Sequence, residues 1–235
     1  MAEVRVFSDA DELGRALAAE IVAAYEGRDG MFLLGCPGGR TPRTTYQALA
    51  GHDFEHLVIV MMDEYVGAPT DAHHSCTRFA REEIAEPLGI PPERVWVPDA
   101  DDPSAYEARI DDAGGIDLFV LASGASDGHV AFLPPGSPRD GETSVVEIAE
   151  TTRRDNLATF PDFAGIDDVP TRGVSVGLGT IAKARALRMV LHGRGKRGAT
   201  RQLLSLDRFE PSWPASIVHD HPDAAILVDE EAMAA

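Results

Sequence analysis

The chain is poor in basic residues. Its 21 Lys and Arg stand against 39 Asp and Glu, a formal net charge of −18. A field of that sign repels polyanions, which argues against nucleic acid as a partner and gives the surface a plain meaning as a solvated one. An anionic ligand would need local compensation from backbone N–H groups and a few placed cations. Cysteine is equally scarce. Two thiols, Cys36 and Cys76, argue against a disulfide framework and fit a reducing compartment. No apolar run approaches the roughly 20 residues of a membrane span, and Leu57 to Met62 is only strand-sized. The opening MAEVRVFSDADE has no basic stretch followed by an apolar one. The expectation is a cytoplasmic chain with no membrane partner.

What is present alternates. The 235 residues suit one α/β domain over 1–235. Leu13, Leu17, Ile21 and Tyr25 recur every four residues, which predicts a helix from Ser8 to Gly27, with Ser8, Asp11 and Glu12 at its cap. Helices are also expected over Pro42–Leu49, Arg78–Leu88, Pro103–Asp111, from Thr180, and over Lys196–Leu204. Between them fall short apolar strands: Met31–Leu34, Leu57–Met62, Val95–Val97, Ile116–Leu121, Val174–Val176, Ala186–Leu191 and Ala224–Val228. Strands that are apolar on both faces and alternate with helices imply a doubly wound, mainly parallel sheet with helices on both faces. Residues 134–172, rich in Pro, Gly, Asp and Arg, are expected to be a lid or an ordered excursion.

Four loops carry polar residues suited to chemistry. Gly35-Cys-Pro-Gly-Gly-Arg-Thr-Pro42 follows a strand and precedes a helix. Thr41 is a suitable N-cap there and Pro42 a suitable first helical residue. Gly38 and Gly39 let the backbone approach an anion such as phosphate, with Arg40 and Thr41 beside them. Asp63 and Glu64 come directly after an apolar strand, where ligands of parallel sheets bind, and Glu64 is expected to contact the ligand. A partly desolvated carboxylate at that place serves as a general base; a helix cap or surface turn is the alternative. In Gly124-Ala-Ser-Asp-Gly-His129, Asp127 lies two residues before His129, with Gly128, expected as a ligand contact, between. That spacing lets a carboxylate orient an imidazole for proton transfer. A structural or metal-bound histidine is the other reading, but His73, His74, His219 and His221 show no ligand motif. Finally, Gly177-Leu-Gly-Thr180 and Leu191-His-Gly-Arg-Gly-Lys196 end further strands. They place Lys196 near a helix start, where an ammonium is unfavourable unless it meets an anion.

The order GGRTP, MDEYVG, DGHVAF, PPGS, VGLGTI, HGRGK, HPDA resembles the glucosamine-6-phosphate deaminase and 6-phosphogluconolactonase superfamily over nearly the whole chain, and the deaminase branch more closely. The stretch MDEYVG is deaminase-like, since lactonases usually carry Arg where Tyr65 stands. The resemblance implies a Rossmann-like fold and a phosphorylated sugar held at Gly38–Thr41, with Lys196 a phosphate partner and no cofactor or metal. It implies that Asp63 moves a proton between C2 and C1 of the open-chain sugar. His129, supported by Asp127, assists ring opening. Two departures stand out. The deaminase run Asp-Gly-His-Ile-Ala-Phe-Asn-Glu-Pro is here Asp127-Gly-His-Val-Ala-Phe-Leu-Pro-Pro135, so Pro134 replaces the glutamate that partners the histidine. In Asp155-Asn-Leu-Ala-Thr-Phe160, Ala158 stands where a substrate-binding arginine is expected. A lactonase, in which His129 activates water, and a sugar-phosphate-binding protein with little catalysis are the alternatives. A monomer or small homo-oligomer is expected.

Overall fold

The computed structural model describes residues 1–234. In chain order its strands are β1 (Glu3–Phe7), β2 (Phe32–Cys36), β3 (Leu57–Met61), β4 (Asp63–Tyr65), β5 (Val95–Trp96), β6 (Leu118–Ala122), β7 (Ser144–Glu147), β8 (Arg172–Ser175), β9 (Ala186–Leu191) and β10 (Ala224–Asp229). Its α-helices are α1 (Ala10–Glu26), α2 (Arg43–Leu49), α3 (Cys76–Phe79), α4 (Glu86–Leu88), α5 (Pro103–Asp112), α6 (Glu150–Thr159), α7 (Leu178–Ala182), α8 (Arg197–Leu204) and α9 (Glu230–Met233). A π-helical stretch, Ala80–Ala85, joins α3 to α4.

Seven strands form a parallel sheet in the order β1-β10-β9-β6-β2-β3-β5. Side chains alternate across it, as the two-residue period of a strand requires. Leu33, Val58, Val60, Phe119 and Leu121 face one core, which α5, α7, α8 and α9 cover with Ile110, Ile181, Leu203 and Ala232. Phe32, Leu34, Ile59, Leu118 and Val120 face the other, covered by Leu13, Leu17 and Ile21 of α1 and Leu49 of α2. The three α1 side chains are fully buried, and each contributes about 1.5–3 kcal/mol. This is the doubly wound sheet expected from the alternation. The chain leaves β2 toward β3 and β5 on one side, then returns to β6 on the other. The loops after β2 and β6 therefore diverge, and the crevice between them is the topological switch point where such sheets bind ligands.

A second sheet, β4-β8-β7, is antiparallel, and only Met62 separates its first strand from the end of β3. It corrects the expectation for Val174–Val176: Val174 pairs with Glu64 and Val145 here, and not within the parallel sheet. The periodicity of a four-residue strand is the same in either setting, so only long-range pairing decides. Residues 134–172 form an ordered excursion containing β7, α6 and a 3-10 turn at Ile166–Asp168. Boundaries differ elsewhere. Asp9, not Ser8, caps α1 by accepting from Glu12 N at 2.7 Å. Ser8 instead donates from its N and Oγ to the Glu12 carboxylate. The helix expected from Arg78 starts at Cys76, because Ser75 supplies its cap, and the helix expected from Thr180 starts at Leu178.

Candidate active site

A cavity of about 650 Å³ opens over the switch point. The loop Pro37–Thr41 after β2 forms one side. Gly39 has φ +88, and nothing would meet a Cβ at Gly38, so the backbone lies open to the cavity. Among the described residues, none of the N–H groups from Gly38 to Thr41 donates a hydrogen bond within the protein. The expected Thr41 cap is not there. Pro42 itself is in the helical region and occupies the cap position without a side-chain bond, because its carbonyl already accepts from Thr45 N and Tyr46 N. Thr41 serves through its carbonyl oxygen, which receives His192 Nε2 at 2.9 Å and ties the β2 loop to the β9 loop.

Asp63 opens β4 and faces the cavity although only 7% exposed. Burial lifts its carboxyl to about 7; a hydrogen bond from Cys76 Sγ at 3.3 Å pulls the other way, and the nearby Glu64 charge adds to the rise. Glu64 does not reach the cavity. Its oxygens accept from the N–H groups of Tyr65, Cys76 and Thr77 and from the hydroxyls of Ser75 and Thr77. Strand alternation turns it away from Asp63, and the orphan donors at the start of α3 hold it there as a helix cap. The sequence reading of Glu64 as a ligand contact is corrected accordingly.

The loop after β6 carries the histidine. Its Nδ1 lies 2.7 Å from Asp127 Oδ1. An ionised carboxylate only accepts, so Nδ1 carries the proton and Nε2, which has no hydrogen bond among the described residues, is left to the cavity. Asp127 sits behind the ring and does not line the cavity. Burial would raise its pKa, but the His129 hydrogen bond and charge, the Thr151 hydroxyl and the His129 N–H together bring it down to about 2. Gly128 also points elsewhere: with φ +69 it packs on Trp213, which a Cβ would meet at 2.3 Å. Its role is the turn, not ligand contact. Gly124 has no room either, since a Cβ there would fall 2.2 Å from His129 Nδ1.

Lys196 reaches the cavity from the residue that caps α8, and its Nζ donates to Ser123 O at 2.6 Å. Burial lowers its pKa; Asp155 counteracts this, and Arg40 reinforces it. The remaining wall is α6, which sequence reasoning missed. Thr152, Arg154, Asp155, Asn156, Ala158 and Thr159 all line the cavity. Thr152 Oγ1 lies 3.1 Å from His129 Nδ1, Asp155 accepts from Ala125 N at 3.2 Å, and Asn156 donates to the Tyr65 hydroxyl at 2.6 Å. The one local sign of this helix was the i, i+4 pair of Glu150 and Arg154, which is formed. Among the described residues no cluster of His, Cys, Asp or Glu is arranged to hold a metal ion, and no helix is long and apolar enough to cross a membrane.

The crevice first defines a class: an α/β enzyme whose site occupies the topological switch point of a doubly wound sheet. A family model described as glucosamine-6-phosphate isomerases/6-phosphogluconolactonase matches residues 8–227. The glucosamine-6-phosphate deaminase of Shouchella clausii is 37% identical over 211 residues, covering 85% of this chain and 83% of that protein. That of Cutibacterium acnes is 35% identical, covering 98% and 90%. Among solved structures, a monomeric glucosamine-6-phosphate deaminase is similar with a TM-score of 0.91 and 27% identity over 98% of each chain. The 6-phosphogluconolactonase of Thermotoga maritima, at 20% identity and a TM-score of 0.76 over 97% of this chain and 99% of that one, shares the fold. The chain belongs to the glucosamine-6-phosphate isomerase/6-phosphogluconolactonase family.

Proposed function

We propose that this enzyme isomerises a hexose or aminosugar 6-phosphate from aldose to ketose, in the manner of a glucosamine-6-phosphate deaminase. The observation that carries the reading is a buried carboxylate poised at about 7, facing one cavity with an imidazole that presents Nε2. A base is most effective when its pKa lies near the working pH. His129 Nε2 takes the anomeric hydroxyl proton and returns a proton to the ring oxygen, which opens the sugar. Asp63 then takes the C2 proton and delivers it to C1, and the proton that the C2 amino or hydroxyl group gives up passes to O1. With an amino group at C2 the product is an imine, and water hydrolyses it to the ketose and ammonia. Lys196 and the free N–H groups of Gly38–Thr41 support the phosphate, with Arg40 at the rim. Arg154, one helical turn before Ala158, supplies a cation to the wall where the sequence lacks one.

The test is an NMR time course in deuterated water with glucosamine 6-phosphate, other hexose 6-phosphates and 6-phosphogluconolactone. Deuterium at C1 or C2 together with a ketose is expected. Lactone opening without exchange would replace this reading with the hydrolase one. The likeness to a monomeric deaminase supports a monomer in solution, which sedimentation equilibrium checks; a dimer mass would overturn it.

A further inference from the structure

Asp63 has a single hydrogen-bond donor among the described residues, and it is a thiol. Cys76 Sγ donates to Asp63 Oδ1 at 3.3 Å, and both side chains line the cavity. The other titratable groups packed around the carboxylate donate nothing to it. Glu64 and Tyr65 lie on its own strand, Tyr46 comes from α2 and Tyr106 from α5. Tyr46 spends its hydroxyl on Pro37 O at 2.8 Å, and Tyr106 spends its own on Met61 O at 2.7 Å. No arginine or lysine pairs with Asp63 among the described residues. Burial keeps all three tyrosines and Cys76 protonated, since each is raised above its ordinary range.

The thiol is held in place from two sides. Ser75 caps α3 and fixes the start of the helix, and Cys76 N donates to Glu64 Oε1 at 3.1 Å. The Glu64 cap thus anchors the backbone of the residue that touches Asp63. A thiol is a weaker donor than a hydroxyl or an amide. It steadies the carboxylate without stabilising its charged form strongly, and leaves the second oxygen to the cavity.

We propose that Cys76 is a positioning residue for the reaction: its thiol orients the Asp63 carboxylate toward the cavity and sets how readily it takes a proton. The inference rests on Asp63 being the base of the proposed isomerisation. Removing the donor disfavours the charged form, so Cys76→Ala makes Asp63 harder to ionise. Cys76→Ser supplies a stronger donor and reverses that shift.

The experiment pairs two readouts on wild type, Cys76→Ala and Cys76→Ser. Carboxyl carbon NMR, with Asp63→Asn to assign the signal, follows the titration of Asp63 in the free protein. The pH dependence of kcat/KM with glucosamine 6-phosphate follows the same group in turnover. In Cys76→Ala both are expected to move upward by about half a pH unit or more, and in Cys76→Ser to return to the wild-type position or below it. If the Asp63 titration is the same in all three folded proteins, the positioning role is overturned. If the NMR titration moves and the kinetic limb does not, the thiol's hold on Asp63 stands and the assignment of Asp63 as the base falls.

Discussion

The two walls of the cavity are built differently. One consists of the loops that end β2, β6 and β9, hung on strands whose every residue except Ala122 is buried. The other, β4 with α6, belongs to a three-stranded sheet and a polar helix that buries only Thr152. The first wall is rigid because a two-sided core defines it. The second holds its shape through particular polar bonds to the first: Thr151 to Asp127, Thr152 to His129, Asp155 to the backbone of Ala125. A large apolar core tolerates polar changes outside it, whereas a polar seam depends on each of its members.

The largest effect is expected at the buried carboxylate of the second wall, on β4. Asp63→Asn removes the proposed base, and turnover is expected to fall by about 10³–10⁴-fold, while phosphate binding at the proposed site on the opposite wall changes little. Loss of binding with the same fold would make Asp63 a ligand contact instead. Stability moves the other way. The folded state holds the Asp63 proton more tightly than the unfolded chain does, so the stability it contributes is complete below about pH 4 and is lost as pH rises to about 7. Asparagine mimics the protonated form. The variant is expected to match wild type at pH 4 in urea unfolding and to exceed it by up to about 4 kcal/mol at pH 8. With Asp63 as the base, wild-type activity is expected to rise with pH through about 7 as its carboxyl ionises.

The contrast between the walls also explains what the sequence could reveal. The parallel sheet was readable because buried five- and six-residue runs that are almost wholly apolar allow little else. Gly38, Asp63, His129 and Lys196 followed, since each lies at or just beyond the carboxyl end of such a strand. Glu64 was misplaced because a strand of three residues, Asp63–Tyr65, sends neighbours to opposite sides, and no pattern that short announces itself. Helix α6 was missed for a related reason. Its sequence ETTRRDNLAT has no apolar stripe, so the forces that position it include hydrogen bonds to residues 23 to 91 positions away. Edge strand β1, with Val4 and Val6 half exposed, lacked the apolar signature of its neighbours.

Breaking the first wall takes a steric change. Gly124→Ala forces a Cβ against His129 Nδ1 and the Asp127 carboxylate. The pair must shift by an ångström or so, and displacement on that scale costs about 10²-fold in kcat/KM. Stability should fall by about 1–3 kcal/mol. Near-normal activity in the folded variant would show that the position of the imidazole is not set by this loop.

Breaking the seam takes the loss of one hydroxyl. Thr152→Val keeps the shape of a side chain that is 1% exposed and deletes its contact with His129. Pro134 supplies no group there, so the imidazole keeps Asp127 alone. About a tenfold drop in kcat is expected, larger on cyclic sugars than on open-chain analogues, with Thr152→Ser restoring it. Equal losses on both substrates would separate Thr152 from ring opening.

The smallest effect is expected where the second wall meets solvent. Arg154 pairs with Glu150 on the exposed face of α6, its side chain 63% accessible, and such a pair contributes little to stability. The chain's acidity gives this residue another use. With a net charge of −18, each cation at the cavity mouth offsets a repulsive field that an arriving phosphate must cross. Arg154→Ala should therefore leave the melting temperature within about a degree, since surface substitutions rarely exceed ±0.5 kcal/mol. It should raise KM by about three- to tenfold at low salt without changing kcat. The difference should shrink at high ionic strength, because the interaction is screened over roughly 10 Å at 0.1 M. A KM effect of the same size at both salt concentrations would instead mean a direct, desolvated contact with the substrate, and α6 would then belong to the binding site as firmly as the loops of the parallel sheet.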